Sequence, residues 1–247
     1  ISKRLEPRNL EELSALIALM RPGCANSIVD GKSMTNHYID RKKGVEPVTS
    51  IHDQLTDLLE DTYQVLCFQE QSISIAVKIA GFTPTEADTL RKSIGTKDAE
   101  LMTKVEGMFI DGCKKTGLVN DNDAKSIFEM IKSSNRYAFN RSHSASYAEL
   151  GIWAMWVKYH FPLHFFTSWL FYSPEKKKDM KEEVFQLVNN AKQFGIEVYP
   201  PQVSTLFNGD VGEFSLSLKG IHYGINNVKG IADSNSVKFI NAIKETQ

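Results

Sequence analysis

The sequence predicts a mainly α-helical chain of several helices, followed by a small β-hairpin and the start of a further helical element. Up to Gly195, apolar residues recur mostly at helical spacing, in runs that open on capping residues and close at glycine or proline. Residues 213–218 and 221–225 instead alternate around a Lys-Gly pair, as the strands of a hairpin do. With 247 residues, 42% of them hydrophobic, the chain can bury one large core or two modest ones.

Composition restricts the classes of function. The formal net charge is −1, so any site for a polyanion must be a local patch and not a global basic excess. Three widely spaced cysteines without a Cys-x-x-Cys pair indicate reduced, cytosolic thiols rather than disulfides or zinc. No apolar run reaches the roughly 20 residues that a membrane span needs. The chain begins with Ile1 instead of Met, which suggests a piece of a longer protein.

The predicted elements follow from caps, breaks and apolar spacing. In order, they are a helix over residues 9–20 opened by Asn9 and broken at Arg21-Pro22-Gly23, an irregular connection over 24–50, a short helix over 51–62, helices over 64–81, from Thr83, over 98–116 and from Asp121, a long helix ended by Pro162, a very apolar helix after it, a helix ending at Gly195, and a short strand over 196–201.

The long helix holds the main candidate site. Ser142 is predicted as its N-cap, and the first turn of a helix exposes N–H groups that suit an anion. Arg136, Arg141 and His143 add charge or donors at the same end. His143 and Tyr147 are four residues apart and therefore share a face. This pattern predicts a site for a phosphorylated, planar ligand such as a nucleotide.

Several motifs resemble one family. Residues 137–148 read YAFNRSHSASYA and are similar to Tyr-Gly-Phe-Asn-Lys-Ser-His-Ser-x-Ala-Tyr-Ala in the fingers of bacterial replicative DNA polymerase III alpha subunits, the C-family DNA polymerases. Residues 68–71 (FQEQ) and 87–97 (ADTLRKSIGTK) resemble its Tyr-Gln-Glu-Gln and Ala-Asp-x-Leu-Arg-Arg-x-Met-Gly-Lys-Lys segments. Departures at Lys92, Thr96, Ala138 and Ala232 suggest a divergent branch, such as a viral or accessory version.

The resemblance implies roles for particular residues. Arg91, Arg141 and His143 would bind the triphosphate of an incoming deoxynucleotide, and Tyr147 would pack on its sugar or base. His143 has the sharper alternative of protonating the departing pyrophosphate. The implied nucleotide-binding set is Arg91, Arg141, His143, Ser144 and Tyr147; further triphosphate or DNA-backbone contacts are Lys92, Lys97, Arg136, Lys229 and Gly230.

The resemblance also implies a domain layout and an activity. Residues 1–198 would form a polymerase fingers domain, and 199–247 the truncated start of a DNA-binding helix-hairpin-helix domain. The intact parent would be a DNA-directed DNA polymerase, a nucleotidyltransferase of DNA replication in the bacterial cytoplasm at the nucleoid. Its palm aspartates, which hold Mg²⁺, are absent, so we expect no catalytic residue or metal ligand here and no activity from this chain alone. Implied partners are deoxynucleoside triphosphates, primer–template DNA, other domains of the parent and a candidate sliding clamp.

Two alternatives stay open from the residues alone. One alternative to a polymerase segment is a non-catalytic relative that serves as a helical DNA-binding or scaffold module. The other is a protein-interaction domain whose basic helix starts are only caps. The same choice applies to Arg21, which either ends a helix or touches a ligand, and to the basic face of the helix from Thr83, which is either solvated or binds phosphate.

Overall fold

The computed structural model describes residues 1–26, 28–96, 99–135, 138–173, 180–201, 213–218 and 220–228, together with positions 235, 238, 241, 242 and 245. Four predicted site residues lie outside the described residues: Lys97, Arg136, Lys229 and Gly230. So does most of the predicted helix-hairpin-helix start.

The prediction of a mainly α-helical chain is confirmed. The helices are α1 (Ser2–Leu5), α2 (Leu10–Leu19), α3 (Pro22–Asn26), α4 (Met34–Lys42), α5 (Gln69–Ala80), α6 (Pro84–Thr96), α7 (Ala99–Thr116), α8 (Asp121–Asn135), α9 (Arg141–His160), α10 (Pro162–Tyr172) and α11 (Met180–Gln193). The strands are β1 (Ile28–Val29), β2 (Lys32–Ser33), β3 (Glu197–Tyr199), β4 (Ser215–Leu216) and β5 (Gly220–His222). Across the described ranges, none of these helices combines the length and apolarity that crossing a bilayer requires.

Local sequence explains several helix ends. Asn9 accepts a hydrogen bond from the Glu12 amide at 2.8 Å and so caps α2 as predicted. Thr83 and Glu86 form a reciprocal capping box, with the Thr83 amide 2.8 Å from the Glu86 carboxylate. Gly81 ends α5 with a φ of 66°, a left-handed conformation that suits glycine.

Residues 1–150 form one compact unit with two cores. The larger core lies among α5, α6, α7 and α8 and includes Ile79, Phe109 and Phe128. At Gly112 on α7, a Cβ would lie 2.1 Å from the Ala80 carbonyl oxygen, so only glycine allows α5 and α7 this close approach.

The second core of this unit gathers α1 to α4 around the chain segment that precedes α5. Fully buried members include Leu19, Tyr38 and Cys67. The Tyr38 and Tyr63 rings meet edge to face at 5.1 Å, and the Tyr63 hydroxyl donates to the Glu12 carboxylate at 3.1 Å. This core therefore supports the segment that leads into α5.

Two predictions about this unit are wrong. Residues 24–50 contain β1, β2 and α4, and not only irregular chain. The buried face of α4 includes Thr35 and His37, so it shows no simple apolar period. Residues 51–62 hold two single 3-10 turns instead of one helix, because local bonds such as Gln54 N–H to His52 Nδ1 (3.2 Å) favour a tight turn.

Residues 151–247 form the second compact unit. Its core packs α10 and α11 on a three-stranded sheet of order β3-β5-β4. Val198 pairs with Ile221 in the parallel register of β3 and β5, while β4 runs antiparallel to β5. The predicted hairpin is thus present with shorter strands. The predicted domain boundary between residues 198 and 199 stays a prediction.

Lys158, near the end of α9, is enclosed by this unit. Its Nζ donates to Asn190 Oδ1 at 2.6 Å and lies 5.1–5.6 Å from the ring centroids of Phe165, Phe166 and Phe194. The cation–π contacts stabilise the positive charge of the Lys158 ammonium group. They tie the last turns of α9 to α10 and α11.

Glu46 is the centre of a charged cluster behind α4. Its carboxylate accepts hydrogen bonds from Arg41 Nε at 2.7 Å, His37 Nδ1 at 2.8 Å and Lys32 Nζ at 3.3 Å. Burial raises the pKa of Glu46, but the hydrogen bonds from Arg41, His37 and Lys32 outweigh it and bring the pKa to about 2.

We expect Glu46→Gln to destabilise the chain in a pH-dependent way. A carboxyl whose folded pKa lies below its ordinary value of 4.5 contributes stability that is present above pH 4.5 and is lost as the pH falls toward 2. The difference in unfolding free energy between wild type and variant should be largest near neutral pH and vanish near pH 2. Urea unfolding across this range measures it, with the exposed Glu149→Gln as control. A difference in unfolding free energy that does not change with pH would contradict the lowered pKa of Glu46.

Tyr63→Phe should lower the free energy of unfolding by about 1–2 kcal/mol, because it removes a hydrogen bond to a carboxylate. Tyr38→Phe is the matched control, since the Tyr38 hydroxyl is buried without a hydrogen-bond partner in the described part of the chain. Its removal should be neutral or slightly stabilising. Urea unfolding followed by circular dichroism compares the two variants. Equal losses of unfolding free energy would contradict a stabilising role of the hydrogen bond from Tyr63 to Glu12.

Candidate functional site

The start of α9 is joined to the start of α5 by a short parallel bridge between Phe68 and Phe139. Gln69 N–H donates to the Phe139 carbonyl and Phe139 N–H to the Cys67 carbonyl, each at 2.9 Å. The Gln69 side chain adds a bond to the Ala138 carbonyl at 3.3 Å. Two segments about 70 residues apart in sequence therefore enter their helices side by side.

Glu70 occupies the N-terminal end of α9. Its carboxylate accepts the Arg141 backbone N–H and the Asn140 side-chain amide, each at 2.8 Å. Asn140 Oδ1 in turn accepts His143 N–H at 2.8 Å and the Ser142 hydroxyl at 2.7 Å. The cap of α9 is therefore Asn140. The prediction that Ser142 is the N-cap is wrong. The anion at the positive end of the helix is a side chain of the protein itself.

Gln71 completes this junction. Its Oε1 accepts the N–H groups of Cys67 at 3.1 Å and Phe68 at 3.0 Å, and its Nε2 donates to the Thr62 hydroxyl at 2.7 Å. The resemblance at residues 68–71 implied no role for this triplet. The bonds from Gln71 Oε1 to Cys67 and Phe68 are a local capping pattern that spacing could have revealed, whereas the other partners of residues 69–71 lie 9 to 71 residues away.

Arg141 is turned toward an acidic groove. Its guanidinium is paired with Asp61 and lies over the Phe68 ring, 5.3 Å from the centroid. The groove, about 600 Å³ in volume, is also lined by Asp57, Glu60 and Glu70. These carboxylates oppose entry of a phosphate, because like charges at short range repel. Arg141 would bind a triphosphate only by giving up Asp61.

His143 and Tyr147 share the other face of α9, as their spacing predicts. Their ring centroids are 4.7 Å apart, and the His143 ring lies 5.4 Å from the Phe139 ring. Both side chains are exposed, Tyr147 to 57%. Arg21, placed between α2 and α3, adds its guanidinium 4.9 Å from the centroid of Phe139. This row of four side chains, here called the aromatic row, is open to a planar ligand.

Ser144 does not belong to an exposed site. Its side chain is fully buried, and its hydroxyl lies 2.7 Å from the hydroxyl of Ser14 on α2. It also donates to the Arg141 carbonyl at 3.0 Å. We therefore correct its predicted role from ligand contact to packing between α9 and α2.

Arg91 and Lys92 lie on α6, both paired with Asp88 at 2.8 Å. Hydrogen bonds from Lys92 and Arg91 lower the pKa of Asp88. Within the described ranges, no hydrogen bond, ion pair or ring contact joins Arg91 to the start of α9. Both cations are thus joined to Asp88 on their own helix.

Farther along α9, the apolar residues Leu150, Trp153, Ala154 and Val157 recur at helical spacing. Leu150 is 55% exposed in the first unit, and Trp153 and Val157 are 58% and 36% exposed in the second. The helix that this spacing predicts is confirmed, but three of its apolar side chains are exposed. A helix that is apolar on most of its faces cannot show by period which face packs.

Comparison with known proteins places these features in a family. Residues 1–117 match the bacterial DNA polymerase III alpha subunit finger domain. The chain is 35% identical over 243 residues to the DNA polymerase III subunit alpha of Aquifex aeolicus, covering 98% of this chain and 20% of that protein. The corresponding proteins of Vibrio cholerae and Escherichia coli K12 are 35% and 34% identical over 237 residues, covering 94% of this chain and 19% of each. The chain thus spans about a fifth of the length of these relatives.

Glu70→Ala should lower the unfolding free energy of the first unit by about 1.5–3 kcal/mol, because Asn140 and the first N–H of α9 lose a charged acceptor. Glu60→Ala is the control, since Glu60 lines the same groove but its side chain bonds to no described residue. Its effect should stay within about 0.5 kcal/mol. Hydrogen exchange at residues 141–144 would show the loosened helix start. Equal protection in both variants would contradict the capping role of Glu70.

Proposed function

Because this chain belongs to the bacterial DNA polymerase III alpha subunit family, we propose that it serves as the fingers segment of a template-directed DNA polymerase and binds the incoming deoxynucleoside triphosphate. The observation that carries this proposal is the exposed ring pair of His143 and Tyr147 on the first turns of α9. A histidine and a phenol side by side offer a stacking surface together with hydrogen-bond donors. Such a surface suits the sugar or base of a nucleotide.

The contribution of this site to the reaction is positional. A nucleotide stacked on His143 and Tyr147 would be held with its α-phosphate fixed for in-line attack, which removes much of the entropic barrier. His143 is the group that would reach the phosphate chain or donate a proton to the departing pyrophosphate. Base selection would come from pairing with the template, because neither ring reads a particular base edge.

Arg141 and Arg91 have secondary roles in this proposal. Each is paired with a carboxylate, Asp61 or Asp88, and would have to exchange that partner for phosphate. Arg91 and Lys92 on α6 would contact the DNA backbone. Lys97, Arg136, Lys229 and Gly230 remain candidates for triphosphate or backbone contacts from their sequence positions.

Polymerisation itself requires Mg²⁺ held by carboxylates. The described residues hold no group of three or more side chains able to bind a metal ion. Asp121 and Asp123 open α8, with the Asp123 amide capped by Asn120 at 3.0 Å, and do not form a strand pair. We assign the Mg²⁺ site to another part of the parent chain and expect this segment alone to be inactive.

The wider setting follows from the same premise. Primer–template DNA, the other domains of the parent polymerase and a sliding clamp are the proposed partners, in the bacterial cytoplasm at the nucleoid. We further propose that the fingers domain covers residues 1–198 and that residues 199–247 begin a helix-hairpin-helix DNA-binding domain.

Primer extension by the complete polypeptide that contains these residues tests the proposal. We expect His143→Ala and Tyr147→Ala each to raise the KM for deoxynucleotides about tenfold, a loss of about 1.4 kcal/mol of binding. Arg141→Ala should raise the KM less, because its guanidinium is held by Asp61.

Ser146→Ala is the control, since Ser146 is exposed on the same helix and its hydroxyl donates only to the Ser142 carbonyl at 2.9 Å. Unchanged KM values in both ring variants, with extension intact, would place the nucleotide elsewhere. A wild-type polypeptide that binds primed DNA in a salt-dependent way but never extends it would favour a non-catalytic DNA-binding module.

A further inference from the structure

The aromatic row ends in an arginine that no carboxylate neutralises. Arg21 is exposed, and in the described part of the chain it forms no ion pair. Its guanidinium carbon lies over a ring, 4.9 Å from the centroid of Phe139. A cation–π contact of this kind leaves N–H donors of the guanidinium available for a second partner.

The other cations predicted for a phosphate differ in this respect. Arg141 is paired with Asp61, and Arg91 with Asp88 at 2.8 Å. A phosphate that bound to either would displace a carboxylate, so the net gain is a difference between two similar interactions. At Arg21 a phosphate would displace no carboxylate of the described residues. A phosphate therefore loses less by binding to Arg21 than by binding to Arg141 or Arg91.

Arg21 is also continuous with the proposed nucleotide surface. Phe139 contacts His143 at 5.4 Å between centroids, and His143 contacts Tyr147 at 4.7 Å. Phe139 is itself fixed by its backbone bonds to residues 67 and 69. The row thus presents a cation at one end and exposed rings at the other, on a rigid support. This arrangement matches a ligand that joins a phosphate chain to a planar or sugar group.

We propose that Arg21 binds the phosphate chain of the nucleotide whose sugar or base lies on His143 and Tyr147. This inference rests on the proposed function and adds to it a residue that lies outside helix α9. It also assigns Arg141 a structural role, in which the Asp61 pair and the Phe68 contact anchor the start of α9. The guanidinium fork of Arg21 would take two phosphate oxygens, a geometry that lysine cannot reproduce.

Inorganic tripolyphosphate provides a probe for phosphate binding separate from the base and sugar. In the complete polypeptide, we expect Arg21→Gln to raise both the KM for deoxynucleotides and the inhibition constant of tripolyphosphate about tenfold. Arg21→Lys keeps the charge and should lie between wild type and Arg21→Gln. Arg4→Gln, which removes an exposed arginine of α1 without an ion pair among the described residues, should change neither constant.

The outcomes separate this inference from the proposed function. If His143→Ala raises the KM while Arg21→Gln leaves both constants unchanged, the role of Arg21 is overturned and the nucleotide site stands. A rise in KM without a change in tripolyphosphate inhibition would mean that Arg21 only supports Phe139, which also overturns it. If neither variant has any effect, the nucleotide site of the proposed function itself is wrong. Should Arg21→Gln fail to fold, judged by its urea midpoint, Arg21→Lys carries the same comparison.

Discussion

The interaction on which the rest of the site depends is the contact of the Glu70 carboxylate with the N-terminal end of α9. A helix start leaves several N–H groups without partners, and a carboxylate there satisfies donors and opposes the helix dipole. Because Glu70 lies in the first turn of α5, this single side chain sets where α9 begins relative to α5. The bridge between Phe68 and Phe139 fixes the same relation through the backbone.

That junction divides the start of α9 into two faces of opposite character. On one face Arg141 is turned into a groove lined by Asp57, Glu60, Asp61 and Glu70. On the other, Phe139, His143 and Tyr147 stand in a row with Arg21. The carboxylates of the first face oppose an anion, whereas Arg21 adds a cation to the second. With a formal net charge of −1, the proposed site for a phosphorylated ligand has to be local.

The junction also explains the Gln-Glu-Gln triplet at residues 69–71, to which the sequence assigned no role. Gln69, Glu70 and Gln71 each bond to a different part of the structure. Gln69 bonds to the segment before α9, Glu70 to the first residue of α9, and Gln71 to the turn at Thr62. All three hydrogen bonds hold parts of the protein in position, and none of them involves a group proposed to react. We expect substitutions in this triplet to act on the proposed nucleotide site by moving α9, as changes in supporting residues commonly do.

The sequence by itself determined the mainly helical fold, the caps at Asn9 and Thr83, the breaks at Gly81 and Pro162, and the pairing of His143 with Tyr147 on one face. These depend on neighbours within one or two turns, which spacing and capping chemistry reveal. The Asn140 cap is a local contact with His143, and Glu70 supports it from 70 residues away. Only the packing of the helices decides that Ser144 is buried on Ser14, that Arg141 is paired with Asp61, and that Arg21 joins the aromatic row. These three contacts join residues 80 to 130 positions apart. Whether an arginine meets a carboxylate or a ligand at such distances depends on how the helices pack, and no local pattern records it.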